Sequence, residues 1–402
     1  MDRIVELPLA HDHHSHVSLY AAMDGLPDLS SLEAEAAKAL LASLPRDDLS
    51  LVKGWRSDKL VLAQAELAQL PPVLVVNSSL HGFALSPSAR PFVGKLWPEL
   101  AENAEDWRWG ERHLPELFVF YTRLAGLDRE KLERFMGGMA ALGIHSLEDM
   151  TISGARTLRA FAEAGLGDRV RSWATPEVFE SLSAGDRALC EGIKIFLDGS
   201  LGARSAALDE SFLDGSPGAL LYGDEELLSL LADLAAHRTG LSVHAIGHRA
   251  IDQILGALRG LRSEGLEFKA VRLEHVQFIS QEQGRAARDL GLVLSMQPNF
   301  SMDSAFYADR LRERHRAENN PFRMLIDRLG FRPGQDLVFG SDGMPHGLAE
   351  ALRWSLFPPY EGQALGLDEL LAGAKSPRTS PAAPRRYRID SRSRSVEALE
   401  EH

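Results

Sequence analysis

Short strand-like segments alternate with longer helical segments along most of this chain, and this alternation constrains the fold more than any other feature. Apolar residues three and four apart mark segments such as Glu225 to His237 and Ala250 to Leu261, which is typical of helices that face a core. Strands that alternate with helices form parallel sheets, and about eight such units predict an α/β protein with a closed, TIM-like (β/α)8 barrel. The predicted strands are Ile4 to His11, Ile144 to Met150, Val170 to Ala174, Ile193 to Leu197, Leu241 to His244, Val271 to Val276, Leu292 to Gln297 and Leu337 to Phe339.

Residues 17–139 do not follow this alternation and are too many for one strand-to-helix connection. They include two further strand-like runs, Leu49 to Gly54 and Val73 to Val76, and a tryptophan-bearing segment, Leu96 to Trp109. A separate N-terminal domain is one interpretation. Because a histidine cluster precedes this stretch, we favour an insertion after the first barrel strand that caps the mouth of a barrel domain spanning residues 1–360.

The C-terminal tail, residues 361–402, differs in composition from the rest of the chain. From Lys375 to Ser395 it is basic and rich in serine and proline. Such a composition offers little apolar surface to bury, and it predicts an extended or partly disordered tail.

The composition of the chain excludes several classes of partner. The formal net charge of -13 argues against binding to nucleic acid, which needs a basic surface. No apolar run approaches the roughly 18 residues of a transmembrane helix, and the N-terminus does not resemble a signal peptide. Cys190 is the only cysteine, so no internal disulfide can form. We therefore expect a cytoplasmic protein, a possible homodimer, with a small-molecule substrate and neither nucleic acid nor membrane as a partner.

A histidine cluster, His11-Asp12-His13-His14-Ser15-His16, ends the first predicted strand. Residues two apart on a strand point to the same face, so Asp12, His14 and His16 project together. Two imidazoles on one face at the end of a strand form half of a metal site.

Lys194 lies in a strand-like segment, on the same face as Phe196 and Asp198. In a barrel that face is the interior, where a charge is costly unless it is paired or neutralised. One solution is an ion pair between Lys194 and Asp198. Another is reaction of Lys194 with CO₂ to give an anionic carbamate that bridges two metals. The sequence leaves both open, although the histidines elsewhere favour the carbamate.

Three further predicted strands end in residues that could bind a metal: His244, His275 and Asp342. Each of them alone is more often a structural residue. In TIM barrels, however, catalytic residues gather at this end of the strands. Imidazoles or carboxylates at four strand ends, with Lys194 at a fifth, together predict a metal centre.

With these motifs the chain resembles the amidohydrolase superfamily, and within it the amidohydrolase-3 branch, which includes YtcJ-like proteins and N-substituted formamide deformylases. The matching motifs follow the family's order over roughly residues 8–350. They are Asp12-His13-His14-Ser15-His16, Val52-Lys53-Gly54-Trp55, Gly143 to Met150, Lys194 to Arg204, His244-Ala245-Ile246-Gly247, Arg272-Leu273-Glu274-His275, Ser295-Met296-Gln297-Pro298 and Gly340-Ser341-Asp342.

The resemblance implies a centre of one or two divalent metals, with zinc as the first expectation for imidazole ligands. The implied ligands are His14, His16, Lys194 as a bridging carbamate, His244, His275 and Asp342. The resemblance also implies hydrolysis of a C–N bond, in an amide or an N-substituted formamide, by a metal-bound hydroxide. Asp342, His275 and Lys194 are the expected catalytic residues, and Asp342 would pass a proton to the leaving nitrogen. The expected substrate contacts are Trp55, His81, Arg204, Gln297 and Asn299.

Three departures from the family pattern accompany this resemblance, one of them the loop Gly343-Met344-Pro345-His346 after Asp342, which is not diagnostic of a substrate. The family's β-sandwich is expected to be reduced or absent, because only thirteen residues precede His14. His248 stands where the family commonly has aspartate. A deaminase or lactonase of the same superfamily is an alternative function, and a degenerate barrel that only binds a ligand is another. Because all six ligand positions hold competent residues, we favour an enzyme.

Overall fold

The computed structural model describes residues 2–56, 59–78, 80–376 and 383–399. The chain divides into two compact units, Leu19–Leu127 and a larger unit formed by Met1–Ser18 with Asp128–His402. Strands and helices are numbered in chain order. The strands are β1 (Asp2–Leu7), β2 (Ala10–Ser15), β3 (Ser50–Trp55), β4 (Val73–Asn77), β5 (Phe83–Leu85), β6 (Ile144–Asp149), β7 (Val170–Ala174), β8 (Cys190–Phe196), β9 (Gly240–Ala245), β10 (Ala270–His275), β11 (Val293–Met296), β12 (Leu337–Phe339), β13 (Arg385–Asp390) and β14 (Ser395–Ala398).

The helices are α1 (Val17–Ala22), α2 (Ala34–Ala42), α3 (Gln64–Leu67), α4 (Arg90–Leu96), α5 (Pro98–Asn103), α6 (Trp107–Arg112), α7 (Leu114–Ala125), α8 (Arg129–Ala141), α9 (Ala155–Glu163), α10 (Pro176–Ser181), α11 (Ala184–Arg187), α12 (Asp224–Ala235), α13 (His248–Ser263), α14 (Gln281–Asp289), α15 (Asp303–Phe306), α16 (Glu313–Glu318), α17 (Leu348–Leu356) and α18 (Leu367–Gly373). Short 3₁₀ turns lie at Pro87–Ala89, Pro298–Met302 and Glu361–Gln363, and a π-helical turn lies at Met324–Arg328. No helix in the described ranges is both long and apolar enough to cross a membrane.

The larger unit is built on an eight-stranded parallel sheet in the order β2, β6, β7, β8, β9, β10, β11, β12. The two ends of this sheet meet, because the Asp342 N–H that follows β12 donates to the His14 carbonyl on β2 at 2.7 Å. The strands alternate with helices, as in a TIM barrel. This arrangement confirms the predicted TIM-like (β/α)8 barrel.

Burial explains why these segments form strands and helices. All six residues of β9 are buried, as expected for a parallel strand covered on both faces. In α13, Ile251, Ile254, Leu255 and Leu258 are buried at spacings of three and four, so one stripe of the helix faces the core.

The first predicted strand, Ile4 to His11, is wrong as a single element, because the structure has β1 and β2 there. Only β2 joins the barrel. β1 pairs antiparallel with β13, which pairs antiparallel with β14. These three strands form a small sheet separate from the barrel sheet, and the reduction or absence of the family's sandwich stays a prediction.

The predicted tail contains two strands, β13 and β14, that its composition did not indicate. Tyr387 and Ile389 of β13 are buried, and β1 supplies the hydrogen-bond partners of the strand. A strand whose partner lies more than 370 residues away has no local signal beyond its few apolar residues. Residues 377–382 and 400–402 of the predicted tail lie outside the described residues.

The smaller unit, Leu19–Leu127, lies in the sequence between barrel strands β2 and β6. Its sheet has the order β3, β4, β5, with β3 and β4 parallel and β5 antiparallel. β3 and β4 correspond to the two strand-like runs expected here. The predicted insertion, 17–139, is longer than this unit, because α8 packs with β6 and α9 of the barrel unit. Its place over the barrel mouth stays a prediction.

Candidate metal centre

The six predicted metal ligands all belong to the barrel unit, where they lie on or just after the strands. The closest group is formed by His14, His275 and Asp342, each of which offers one donor atom within 4.8 Å of the others. The ring centroid of His275 lies 4.6 Å from that of His14 and 4.5 Å from that of His244. Three strands, β2, β9 and β10, therefore bring their imidazoles to one place.

Asp342 faces the two histidines at the end of β2. Its Oδ1 lies 3.5 Å from Nε2 of His14 and 3.4 Å from Nε2 of His16. Burial opposes ionisation of this carboxyl group, but the two imidazoles outweigh it and lower its pKa to about 2. Asp342 is therefore an anion at neutral pH.

Hydrogen bonds on the far side of the rings hold the imidazoles in orientation. Nδ1 of His14 donates to Oε2 of Glu274 at 2.6 Å, so Nε2 is the nitrogen turned toward Asp342. Nδ1 of His275 lies 2.8 Å from Oε1 of Gln297, and Nδ1 of His16 lies 2.8 Å from Oγ1 of Thr151. Histidines that bind metals are held in this way by a second partner.

Two of the proposed ligands have left-handed backbones, with φ of 68° at His275 and 58° at Asp342. This conformation is strained for residues other than glycine and costs on the order of 1–3 kcal/mol. In a regular strand His275 would point away from the face that Glu274 occupies. The left-handed turn ends that alternation.

Lys194 lies in the barrel interior with a fully buried side chain. Its Nζ has no hydrogen-bond partner within the described part of the chain, and it lies 5.0 Å from the ring centroid of Phe196. Burial lowers the pKa of Lys194 to about 8. A buried amine without a partner can be relieved by a group that neutralises it.

Asp198, the ion-pair partner that the sequence offered for Lys194, forms hydrogen bonds with other groups. Its carboxylate accepts hydrogen bonds from three backbone N–H groups, those of Ala207, Ile246 and Gly247, at 2.8–2.9 Å. The ion pair between Lys194 and Asp198 that the sequence left open is therefore not formed in the described structure. Asp198 instead ties the loop after β8 to the loop after β9.

A buried ionic network beneath the histidines was missed by the sequence reasoning. Arg272 donates from Nε to Glu274 and from Nη1 to Glu148, the latter at 2.8 Å. Glu148 also accepts from Nε1 of Trp173 at 2.7 Å and lies 3.1 Å from Nδ1 of His13. Burial opposes ionisation of Glu274, yet Arg272 and His14 hold its pKa below its ordinary value. Arg272 and Glu274 are two residues apart on β10 and therefore point to the same face of the strand. That spacing is the sequence feature from which their contact could have been predicted.

Asp12 supports the centre by joining strands rather than by facing the histidines. Its carboxylate accepts from the backbone N–H and the hydroxyl of Ser341 and from the N–H of His14. A Cβ atom on Gly340 would lie 2.3 Å from the His14 backbone nitrogen. Only glycine fits at this close approach.

His346, in the loop after Asp342, is a second residue that was missed. Its Nε2 lies 2.8 Å from Oγ of Ser15, and burial lowers its pKa to about 4. The sequence showed it only as part of a loop without a diagnostic pattern.

Two predicted substrate contacts, Gln297 and Asn299, lie beside the centre. Both are buried, and each keeps one polar atom without a partner in the described residues, namely Nε2 of Gln297 and Oδ1 of Asn299. The Asn299 amide donates to the carbonyls of Ser341 and Met344 at 3.0 and 2.9 Å. Asn299 therefore also holds the loop that carries Asp342.

Each of the other three predicted substrate contacts, Arg204, Trp55 and His81, has a polar partner within its own unit, and its role as a substrate contact stays a prediction. Arg204 is engaged by Asp214, with 3.1 Å between Nε and Oδ2. Trp55 and His81 belong to the smaller unit, where Nε1 of Trp55 donates to the Leu60 carbonyl at 2.8 Å and Nδ1 of His81 lies 3.0 Å from Glu111.

The barrel gathers imidazoles, a buried lysine and an aspartate at the strand ends, where TIM-barrel enzymes have their catalytic residues. The model of the amidohydrolase family, in its amidohydrolase-3 form, matches residues 127–351. The chain belongs to this amidohydrolase family.

Individual relatives agree with this assignment. The chain is 26% identical to the YtcJ protein of Bacillus subtilis over 349 residues, which cover 75% of this chain and 64% of YtcJ. It is 29% identical to an N-substituted formamide deformylase of Arthrobacter pascens over 140 residues, 34% of this chain and 25% of that one. The chain thus spans less than two thirds of the length of these curated relatives.

The fold is shared with a solved structure, an uncharacterized metal-dependent hydrolase of Pyrococcus horikoshii. The TM-score is 0.65 and the identity is 21%, with coverage of 93% of this chain and 80% of that chain. At this identity the likeness shows the fold.

Proposed function

We propose that this chain is a metal-dependent hydrolase that cleaves a C–N bond, in an amide or an N-substituted formamide, of a small molecule. The observation that carries the proposal is the convergence of His14, His275 and Asp342 within 4.8 Å, near a buried Lys194 amine that lacks a partner among the described residues. The family assignment supports hydrolysis, and the formamide deformylase similarity favours the C–N bond.

The donor set fits one or two divalent metals. His14, His16 and Asp342 would hold one metal, and His244 and His275 a second. Imidazole-rich ligands with few carboxylates suit zinc. The buried Lys194 fits as a bridging carbamate, because its amine nitrogen would bond to the carbon of CO₂ and lose a proton, leaving an anion in place of a buried amine.

The remaining chemistry belongs to the residues of the chain. When bound, a divalent metal would lower the pKa of water and polarise a carbonyl oxygen. Asp342, an anion beside two imidazoles, would accept the proton of the attacking water and return it to the leaving nitrogen. The free amide hydrogens of Gln297 would orient a substrate oxygen, while its own oxygen holds His275.

The first experiment measures metal per chain by plasma mass spectrometry in the wild type, Lys194→Ala and a surface control, Lys269→Ala. We expect this centre to contribute about two equivalents in the wild type, Lys194→Ala to hold fewer equivalents than the wild type, and the control to be unchanged. Equal metal content in the wild type and Lys194→Ala would mean that the lysine is structural. An absence of metal in all three would refute the hydrolase proposal.

The carbamate and the reaction class have their own tests. Carbon-13 NMR of protein equilibrated with labelled CO₂ should show a carbamate resonance that disappears in Lys194→Ala. A screen of N-substituted formamides, amides, cyclic imides, lactones and amino-heterocycles should show turnover of the C–N substrates. Turnover of lactones or amino-heterocycles alone would replace the proposal with a lactonase or a deaminase.

A further inference from the structure

A second cluster of metal-binding side chains lies on three connections of the barrel unit and uses none of the residues of the proposed centre. Asp209 lies between β8 and α12, His248 is the first residue of α13, and His315 lies within α16. One donor atom of each residue lies within 4.8 Å of the others. Side chains from three separate segments thus converge on one point.

The donor atoms surround a single carboxylate oxygen. Oδ1 of Asp209 lies 2.9 Å from Nε2 of His315 and 3.4 Å from Nδ1 of His248. His315 is fully buried, and His248 has 12% of its side chain exposed. Nδ1 of His248 is buried and has no hydrogen-bond partner in the described ranges. A polar nitrogen atom next to the Asp209 carboxylate is therefore left without a hydrogen bond.

We propose that Asp209, His248 and His315 bind a divalent transition metal, zinc by preference, which joins the three connections. Two imidazoles and one carboxylate are a common donor set for zinc, and water can complete the tetrahedron.

The surroundings of His248 suit a ligand role. Burial lowers the pKa of His248 to about 4, so the ring is neutral at neutral pH and a nitrogen lone pair is available for a metal. On the other side of the ring, Nε2 lies 3.7 Å from Oε2 of Glu318. A carboxylate behind the ring is the usual second partner of a histidine that binds zinc.

Arg314 is the competitor for this site. Its Nη2 contacts Oδ1 of Asp209 and lies 3.1 Å from Nε2 of His315, so the guanidinium and a metal would claim the same oxygen. The Arg314 side chain is 41% exposed, and its Nη2 already lies 3.2 Å from Oε1 of Glu210. It can therefore turn toward Glu210 when a metal binds. Loss of the guanidinium should strengthen metal binding, which a purely structural ion pair would not do.

The test titrates metal-depleted full-length protein with zinc and a chromophoric chelator, and counts equivalents and affinities. The variants are His248→Gln and Arg314→Gln, and the control is His237→Gln, a histidine outside both clusters. We expect His248→Gln to bind one equivalent fewer, or that equivalent on the order of 100-fold more weakly. In Arg314→Gln the same equivalent should bind about tenfold more tightly, because no charge-assisted hydrogen bond must be broken.

Circular dichroism checks that each variant is folded. If His248→Gln does not fold, the Arg314→Gln variant still tests the proposal. Equal stoichiometry and affinity in the wild type and His248→Gln would overturn the proposal. So would weaker or unchanged binding in Arg314→Gln. Because the readout is zinc binding rather than turnover, an enzyme without the proposed activity still gives a clear result.

Discussion

The carboxylate of Asp12 accepts two hydrogen bonds from Ser341, one from its backbone N–H at 2.8 Å and one from its hydroxyl. Asp12 lies on the first barrel strand and Ser341 follows the last, so these bonds join the two ends of the sheet. Ser341 precedes Asp342, and Asp12 precedes His14 by two residues. The contact that closes the barrel therefore also sets the distance between two proposed metal ligands.

Gly340→Ala tests this closure. The added Cβ would lie 2.3 Å from the His14 nitrogen and 2.7 Å from its Cβ, so backbone must move. We expect the free energy of unfolding to fall by about 1–3 kcal/mol, measured by urea denaturation, together with weaker zinc binding. The control, Gly137→Ala, lies within α8, where an added Cβ meets nothing within 4 Å, and should gain about 0.5–1 kcal/mol. A neutral Gly340→Ala would show that the two strand ends can separate freely.

Glu274→Gln tests the support behind His14. Glutamine keeps the volume but not the charge that faces His14 and Arg272. We expect zinc affinity to fall by about 10–100-fold, and stability to fall by about 3–5 kcal/mol because Arg272 loses one of two buried anions. Chelator competition and urea denaturation measure the two effects, with exposed Glu163→Gln as the control. Unchanged zinc affinity would mean that His14 needs no orienting carboxylate.

Asp342→Asn tests the proton transfer proposed for this residue. The variant should keep the fold and most of the metal, because asparagine retains an oxygen in the same place. Its kcat should fall by at least about 10²-fold on whichever substrate the screen identifies, since the amide cannot accept the proton. Asp47→Asn, an exposed position of the smaller unit, is the matched control. A kcat equal to that of the wild type would assign the proton to another group.

Asp303→Asn tests a pH dependence of stability. Burial raises the pKa of Asp303 from 3.8 to about 7, although a hydrogen bond from Gln277 opposes this. The folded state thus binds the proton more tightly than the unfolded chain. The contribution to stability is full below pH 3.8 and declines by at most roughly 1.4 kcal/mol per unit until about pH 7.

Asparagine resembles the protonated acid and removes this dependence. The free energy of unfolding of Asp303→Asn minus that of the wild type, measured by urea denaturation, should therefore be larger at pH 8 than at pH 5. Asp47→Asn should show no such difference between the two pH values. Parallel stability profiles for the wild type and Asp303→Asn would show that the carboxyl group titrates normally in the folded protein.

Much of the barrel could be predicted because its signals are local. Seven of the eight predicted strands overlap barrel strands β6 to β12, and the histidine cluster of the eighth lies on or just after β2. Strand and helix periodicities extend over a few residues and can be counted in one segment. The ends of the strands follow from the same count, so the positions of His14, His244 and His275 were predictable as well.

The partners of the charged side chains could not be predicted in this way. Lys194 and Asp198 lie four residues apart, and the sequence allowed an ion pair between them. The Asp198 carboxylate instead accepts hydrogen bonds from backbone N–H groups of its own loop and of the loop after β9. Glu274 belongs to a motif that the sequence analysis identified, but its hydrogen bond with His14, 260 positions away, could not be predicted from that motif. Hydrogen-bond partners at such separations depend on the packing of whole strands.

The sequence by itself determined the parallel barrel and the kinds of side chain at its strand ends, because both depend on short-range periodicity and residue chemistry. Only the tertiary structure decided that β1 and the C-terminal strands form their own sheet, and that Asp209, His248 and His315 meet on three connections. The physical reason is the same in each case. Pairing between distant segments is selected by the burial and hydrogen bonding that the complete fold offers, and no single segment carries that information.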